Sequence, residues 1–151
     1  MNDNDRLFAG ARLLVVDDND ISAELAAEML HNLDVRCIVA NDGAQALAIL
    51  AADSRFDGVL MDCEMPSMDG YAAARAIRKM PGVPCELPIL AMTGNDLPED
   101  MFDILACGMN ARITKPLSLK KLTSELNRWI RPDGAAVADE AIAPARAAAA
   151  H

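Results

Sequence analysis

Five times in succession a short apolar run breaks off at polar residues and is followed by a longer stretch with helical spacing. This alternation limits the fold more than any other feature of the chain. Arg12-Leu-Leu-Val-Val16 stops at Asp17-Asp18 and reads as a buried strand. Ile21, Leu25 and Met29 recur at i, i+4 and i+8, which predicts an amphipathic helix over 21–30 with Asp20 as its N-cap. Residues 35–40 predict a second strand, and residues 44–51 a second helix with Ala46, Leu47 and Leu50 on its apolar side. Gly58-Val-Leu-Met61 predicts a third strand that ends at Asp62. A loop with Pro66 and Gly70 leads to a helix from about residue 71 to 79, ended by Pro81 and Gly82.

Pro88-Ile-Leu-Ala-Met92 predicts the fourth strand, closed by Thr93-Gly94. A helix over about 98–107 follows, with Pro at its first turn and Gly108 just past its end. Residues 111–114 predict a short fifth strand before Lys115-Pro116. Ser118 is placed to cap a last helix, with Leu119, Leu122, Leu126, Trp129 and Ile130 on one face. Strict strand–helix alternation predicts an α/β fold, a five-stranded parallel sheet with helices on both faces. Near-continuous apolar strands fit a sheet covered on both sides.

In open sheets of this kind, ligands sit beyond the carboxyl ends of the strands. There the sequence places Asp17-Asp18, Asp62, Thr93-Gly94 and Lys115-Pro116: three carboxylates, a hydroxyl and an ammonium. Clustered carboxylates repel one another and raise each other's pKa. A hard divalent cation relieves that repulsion, and an oxygen-only set with few ligands suits Mg²⁺. With Lys115 and Thr93, the set forms a pocket for a phosphoryl group beside a carboxylate nucleophile. Such a pocket works by positioning and charge stabilisation. Asp62 stands alone at its strand end, which suits the nucleophile, whereas adjacent Asp17 and Asp18 suit metal holding. Each residue has an ordinary alternative, as a helix cap or a solvated turn. Their joint occurrence at four of five strand ends is the argument for a site.

Composition narrows the function further. Of 151 residues, 52% are hydrophobic, enough for a packed core, and the net charge of −9 disfavours binding to nucleic-acid phosphates. No apolar run approaches the ~20 residues that span a bilayer, and the polar start lacks a signal-peptide core. A soluble, cytoplasmic domain without membrane contact is therefore expected. Cys37, Cys63, Cys85 and Cys107 lack metal-site spacing and read as reduced apolar fillers. Residues 1–10 read as an N-terminal extension, 11–131 as the folded domain, and 132–151, half of them Ala, as a flexible tail or linker.

The stretches Leu14-Val-Val-Asp-Asp-Asn19, Leu60-Met-Asp-Cys-Glu-Met-Pro-Ser-Met-Asp-Gly70, Ile89-Leu-Ala-Met-Thr-Gly94 and 108–116 carry a family resemblance. Over about residues 11–131 the chain resembles the receiver domain of two-component response regulators, and in wording most of all the receivers of hybrid histidine kinases. The resemblance implies a flavodoxin-like (βα)₅ fold with strand order 2-1-3-4-5. It implies that Asp62 accepts a phosphoryl group from a phosphohistidine donor, and that Asp17, Asp18, Asp62 and the backbone carbonyl of Glu64 bind Mg²⁺. Thr93, Lys115 and the backbone N–H groups of Cys63 and Gly94 would hold the phosphoryl oxygens. The Lys115–Pro116 bond is implied to be cis, and Glu64 and Asn95 to tune the phosphoryl lifetime. The implied partners are a histidine kinase or histidine phosphotransfer protein. A homodimer or effector is implied at the face formed by the fourth helix, fifth strand and fifth helix.

One position departs from the family. Arg112 stands three residues before Lys115, where the family usually has Tyr or Phe. A guanidinium does not bury in an apolar slot without a partner. Either Thr93 couples weakly to that face, or Arg112 pairs with an acid or a partner. A receiver of a hybrid kinase, a phosphoacceptor and not a turnover enzyme, is the reading taken; a stand-alone regulator is the alternative. Two readings of other classes are an aspartyl-phosphate phosphatase dependent on Mg²⁺ and an interaction module that ignores phosphorylation. Haloacid-dehalogenase-like phosphatases place D-x-D after the first strand, unlike Asp17-Asp18 here, and 151 residues leave no room for a cap domain; with only about 20 residues after the last helix, no DNA-binding output domain is expected.

Overall fold

The computed structural model describes residues 10–53, 55–65, 69–84, 86–94 and 98–130. The extension over 1–9, Cys85, Asn95 and the Ala-rich tail lie outside the described residues. The elements follow one another as β1 (Arg12–Val16), α1 (Asp20–Asn32), β2 (Arg36–Ala40), α2 (Gly43–Ala52) and β3 (Gly58–Asp62). Then come α3 (Gly70–Arg78), β4 (Ile89–Thr93), α4 (Pro98–Ala106), β5 (Ala111–Thr114) and α5 (Leu119–Trp129). The strands pair in parallel, in the order β2-β1-β3-β4-β5. This is the α/β architecture and strand order expected.

Alternation along each strand sends neighbouring side chains to opposite faces, and the core divides accordingly. Leu13, Val15, Leu60, Leu90, Met92 and Ile113 pack with Ala26 and Leu30 of α1 and Leu122 and Leu126 of α5. Leu14, Val16, Met61, Ile89 and Ala91 pack with Leu50 of α2, Ala73 and Ile77 of α3 and Ile104 of α4. Every residue of β3 and β4 is buried, as strands covered on both faces require.

Short polar residues start the helices by accepting orphan N–H groups. Asp42 accepts from Gln45 N–H, Asp69 from Ala72 N–H, and Ser118 from Lys121 N–H, as its position predicts. Gly108 takes a φ of +99°, a left-handed conformation that ends α4, and Met109 N–H returns to the Ile104 carbonyl at 3.0 Å.

Three expectations are corrected. The cap of α1 is Asn19, not Asp20; its side chain accepts from Ser22 N–H and Asp20 is the first helical residue. The inner face of α1 is Ala23, Ala26 and Leu30, while Ile21 is 78% and Leu25 45% exposed. At 100° per residue, Ile21 and Leu25 fall opposite Ala23 on the helix. The apolar period was real, but small alanines, which admit a closer approach to the sheet, hold the inner stripe. Leu119, expected on the buried face of α5, is also 44% exposed, at the first helical position.

Leu60 has no exposed surface on the middle strand, so Leu60→Ala should cost about 3 kcal/mol through lost burial and a cavity. Leu105→Ala, on the outer side of α4 where Leu105 is 56% exposed, should change stability by under about 0.5 kcal/mol. Urea unfolding with unchanged m-values checks both.

Candidate functional site

A parallel sheet delivers all its strand ends to one edge, and there the chain turns from apolar to ionised. The carboxylates of Asp17 and Asp18, at the end of β1, and Asp62, at the end of β3, can bring oxygens within 4.8 Å of one another. Asp17 and Asp62 are buried, and Asp18 is exposed. Burying ionised groups is costly without compensation, so the partners of each oxygen matter.

Asp17 Oδ1 accepts from Asn19 N–H at 2.9 Å, while its buried Oδ2 has no hydrogen-bond partner among the described residues. Asp62 Oδ1 accepts from Glu64 N–H at 3.1 Å and from Lys115 Nζ at 3.2 Å. Burial raises the Asp62 pKa above its ordinary value; Glu64 N–H and Lys115 pull it down, and the Asp17 charge pushes it up again. A buried carboxylate oxygen without a donor, in an all-oxygen cluster, fits a hard divalent cation such as Mg²⁺. The residues present therefore suit the metal that the resemblance implies.

Thr93 ends β4 and is buried, and its carbonyl accepts from Lys115 N–H at 2.8 Å, which ties the Lys115 backbone to the site edge. The Lys115–Pro116 peptide bond is cis. Glu64 is exposed, and its Oε1 lies 3.9 Å from where a Cβ on Gly94 would stand, so its carboxylate reaches across the site mouth.

One expected contact is placed differently. The N–H of Cys63 donates to the Met92 carbonyl at 3.0 Å. The β3–β4 ladder claims it, and the neighbouring amide that faces the Asp62 carboxylate is that of Glu64. The Cys63 side chain is buried, and burial pushes its thiol up to about 12, which keeps it protonated beside the carboxylates. Arg112 is half-buried on β5, opposite Ala91 in register, and borders a groove with Lys120, Lys121, Ser124 and Glu125.

Sequence reasoning missed how Asn19 works: it caps α1 and orients Asp17 through its backbone amide. An Asn placed just after an acid pair and just before a helix is the signal that marks it.

The response regulator receiver domain family matches residues 13–127. The chain is 36% identical over 129 residues to the sensor histidine kinase RcsC of Escherichia coli (strain K12), covering 85% of this chain. It is 32% identical over 145 residues to probable histidine kinase 4 of Oryza sativa subsp. japonica, covering 83%. It spans only 13% and 14% of those two relatives' lengths.

Among solved structures, one similar chain is the receiver domain of sensor histidine kinase PA1611 from Pseudomonas aeruginosa PAO1, with a magnesium ion coordinated in its active-site cleft. The TM-score is 0.72 at 38% identity, over 80% of this chain and 98% of that one. The chemotaxis protein CheY4 of Vibrio cholerae gives 0.72 at 29% identity, over 81% and 100%. With the match running through all five strands and the site at their ends, the chain belongs to the response regulator receiver domain family, the receivers of two-component signalling systems.

Proposed function

We propose that Asp62 is the phosphoacceptor of this receiver and takes its phosphoryl group from a phosphohistidine on a kinase or histidine phosphotransfer protein. The observation that carries this reading is one buried carboxylate at the end of the middle strand, 3.2 Å from Lys115 Nζ and clustered with Asp17 and Asp18. In the transfer, the P–N bond to the donor imidazole breaks and a P–O bond to an Asp62 carboxylate oxygen forms. The imidazole nitrogen keeps the bonding pair and takes up a proton. The Lys115 ammonium donates to a phosphoryl oxygen, and the Thr93 hydroxyl and Gly94 N–H donate to others.

Asp17, Asp18, Asp62 and the Glu64 carbonyl are the residues to hold Mg²⁺. Bound there, the ion screens the repulsion between the acceptor and the incoming phosphoryl oxygens. Glu64 and Asn95 are the residues to govern how long the phosphoryl group lasts. The product is a stoichiometric acyl phosphate rather than a released product, so the domain acts as a switch.

The similarity to histidine kinases many times longer supports a receiver of a hybrid kinase, with residues 132–151 as a linker and 11–131 as the signalling unit. Among the described residues no helix is long and apolar enough to cross a membrane, which suits a cytoplasmic position. Output through the α4–β5–α5 face would use Arg112 where an aromatic is usual. Either Thr93 couples weakly to that face, or Arg112, half-buried on β5, pairs with an acid or a partner.

Incubation with a phosphohistidine protein or acetyl phosphate and Mg²⁺ should label the wild-type chain once, and Asp62→Asn should abolish the label. Persistent label in Asp62→Asn, read by mass spectrometry of the intact chain, would refute the assignment.

The raised pKa of Asp62 has a consequence for stability. The folded state binds this proton more tightly than the unfolded chain, whose value stays near 3.8. Without divalent cation, this residue's contribution to stability should fall as pH rises from that value through the raised folded one. Asp62→Asn should therefore raise Tm at pH 7 in EDTA by about 4 °C per kcal/mol recovered. Added Mg²⁺ should stabilise the wild type and leave Asp62→Asn much less affected. Calorimetry across pH, with and without the ion, checks both.

A further inference from the structure

Gly70 begins α3, eight positions after the proposed acceptor, and its glycine identity has a spatial cause. It is not among the glycines of positive φ, which are Gly10, Gly82 and Gly108. A Cβ on Gly70 would overlap the Asp62 carbonyl oxygen and lie 2.8 Å from Cys63 Cα and 3.1 Å from the Asp62 carbonyl carbon. These are backbone atoms at the end of the middle strand, so no rotamer change relieves the contact. The amide of Gly70 also donates to the Cys63 carbonyl at 3.3 Å, and Asp69 locks the helix start through Ala72 N–H at 2.8 Å.

The touched peptide joins Asp62 to Cys63. Its tilt sets the direction of the Asp62 side chain, and the Gly70 N–H holds the carbonyl of the next peptide, whose Glu64 N–H donates to Asp62 at 3.1 Å. On the opposite side the Cys63 N–H is held by Met92 at 3.0 Å. The peptide is thus clamped between β4 and the first residue of α3. We infer that Gly70 is a positioning residue for the phosphoacceptor: its bare Cα lets α3 press on the Asp62–Cys63 peptide and set the carboxylate's aim. The inference rests on Asp62 being the acceptor. A shift near 1 Å in a reacting group can cost up to about a hundredfold in rate, and a Cβ here forces a shift of that order.

Gly58, at the other end of the same strand, supplies the control. A Cβ there would lie 2.6 Å from Ile130 Cδ1, a side-chain tip far from the site. The test compares wild type, Gly70→Ala, Gly58→Ala and Asp69→Ala in the full chain. Three quantities are read: the labelling rate with acetyl phosphate and Mg²⁺, the Mg²⁺ affinity by titration of the amide NMR spectrum, and Tm.

Gly70→Ala should slow labelling about tenfold or more and weaken Mg²⁺ binding at temperatures where it is folded. Gly58→Ala should lower Tm while its folded form labels at the wild-type rate. Asp69→Ala, which loosens the helix start without adding an atom, should slow labelling by about threefold and decides the matter if Gly70→Ala does not fold. Wild-type labelling and Mg²⁺ affinity in folded Gly70→Ala, or in Asp69→Ala where the former is unfolded, would overturn the inference. Absence of label in the wild type would overturn the acceptor assignment instead, and the Mg²⁺ affinities would still judge Gly70.

Discussion

Mutual repulsion among Asp17, Asp18 and Asp62 is the constraint around which the rest of the structure is arranged. Two of the three are buried, and carboxylates this close do not ionise together without compensation. The fold compensates in part: Asn19 N–H serves Asp17, and Glu64 N–H and Lys115 serve Asp62. It leaves Asp17 Oδ2 without a donor among the described residues. Partial compensation is what a cation site needs, because a fully satisfied cluster would have nothing to offer an ion.

That strained edge is affordable only because the layers beneath it are ordinary and well packed. The inward residues of β1, β3 and β4 are nearly all apolar and buried, and each face of the sheet has its own core. The chemistry is confined to the last residue of each strand and the first turn that follows. The same economy explains the crowding at the end of β3, where α3 begins directly against the Asp62–Cys63 peptide. A glycine at the start of a helix weakens the helix slightly, and here it brings the helix close enough to brace the acceptor's backbone.

Much of this was legible in the residues. Runs such as 12–16 and 58–61 are too short and too branched for helices, and their strict alternation with helical stretches admits little besides a parallel sheet. The polar residues that end the runs had to share one edge once the sheet was parallel. Less legible was which apolar residues of an amphipathic helix face inward. In α1 the large Ile21 and Leu25 carry the apolar period, yet Ala23, Ala26 and Leu30 hold the core side. Alanine counts weakly in any hydrophobic pattern, although its small size is what lets the helix sit close to the sheet. The role of the Cys63 amide was likewise misplaced, because ladder register is a property of two strands and not of one segment.

By itself, then, the sequence determined the element order, the parallel sheet and the identity of the charged groups at its edge, since these follow from local period and residue type. The tertiary structure decided what depends on atoms distant in the chain. Met92 takes the Cys63 amide, Lys115 reaches Asp62 from 53 residues away, and Gly70 must lack a Cβ because the Asp62 carbonyl lies against it. Spacing along a chain cannot encode such distances; they exist only once the strands are in register and the helices are packed down upon them.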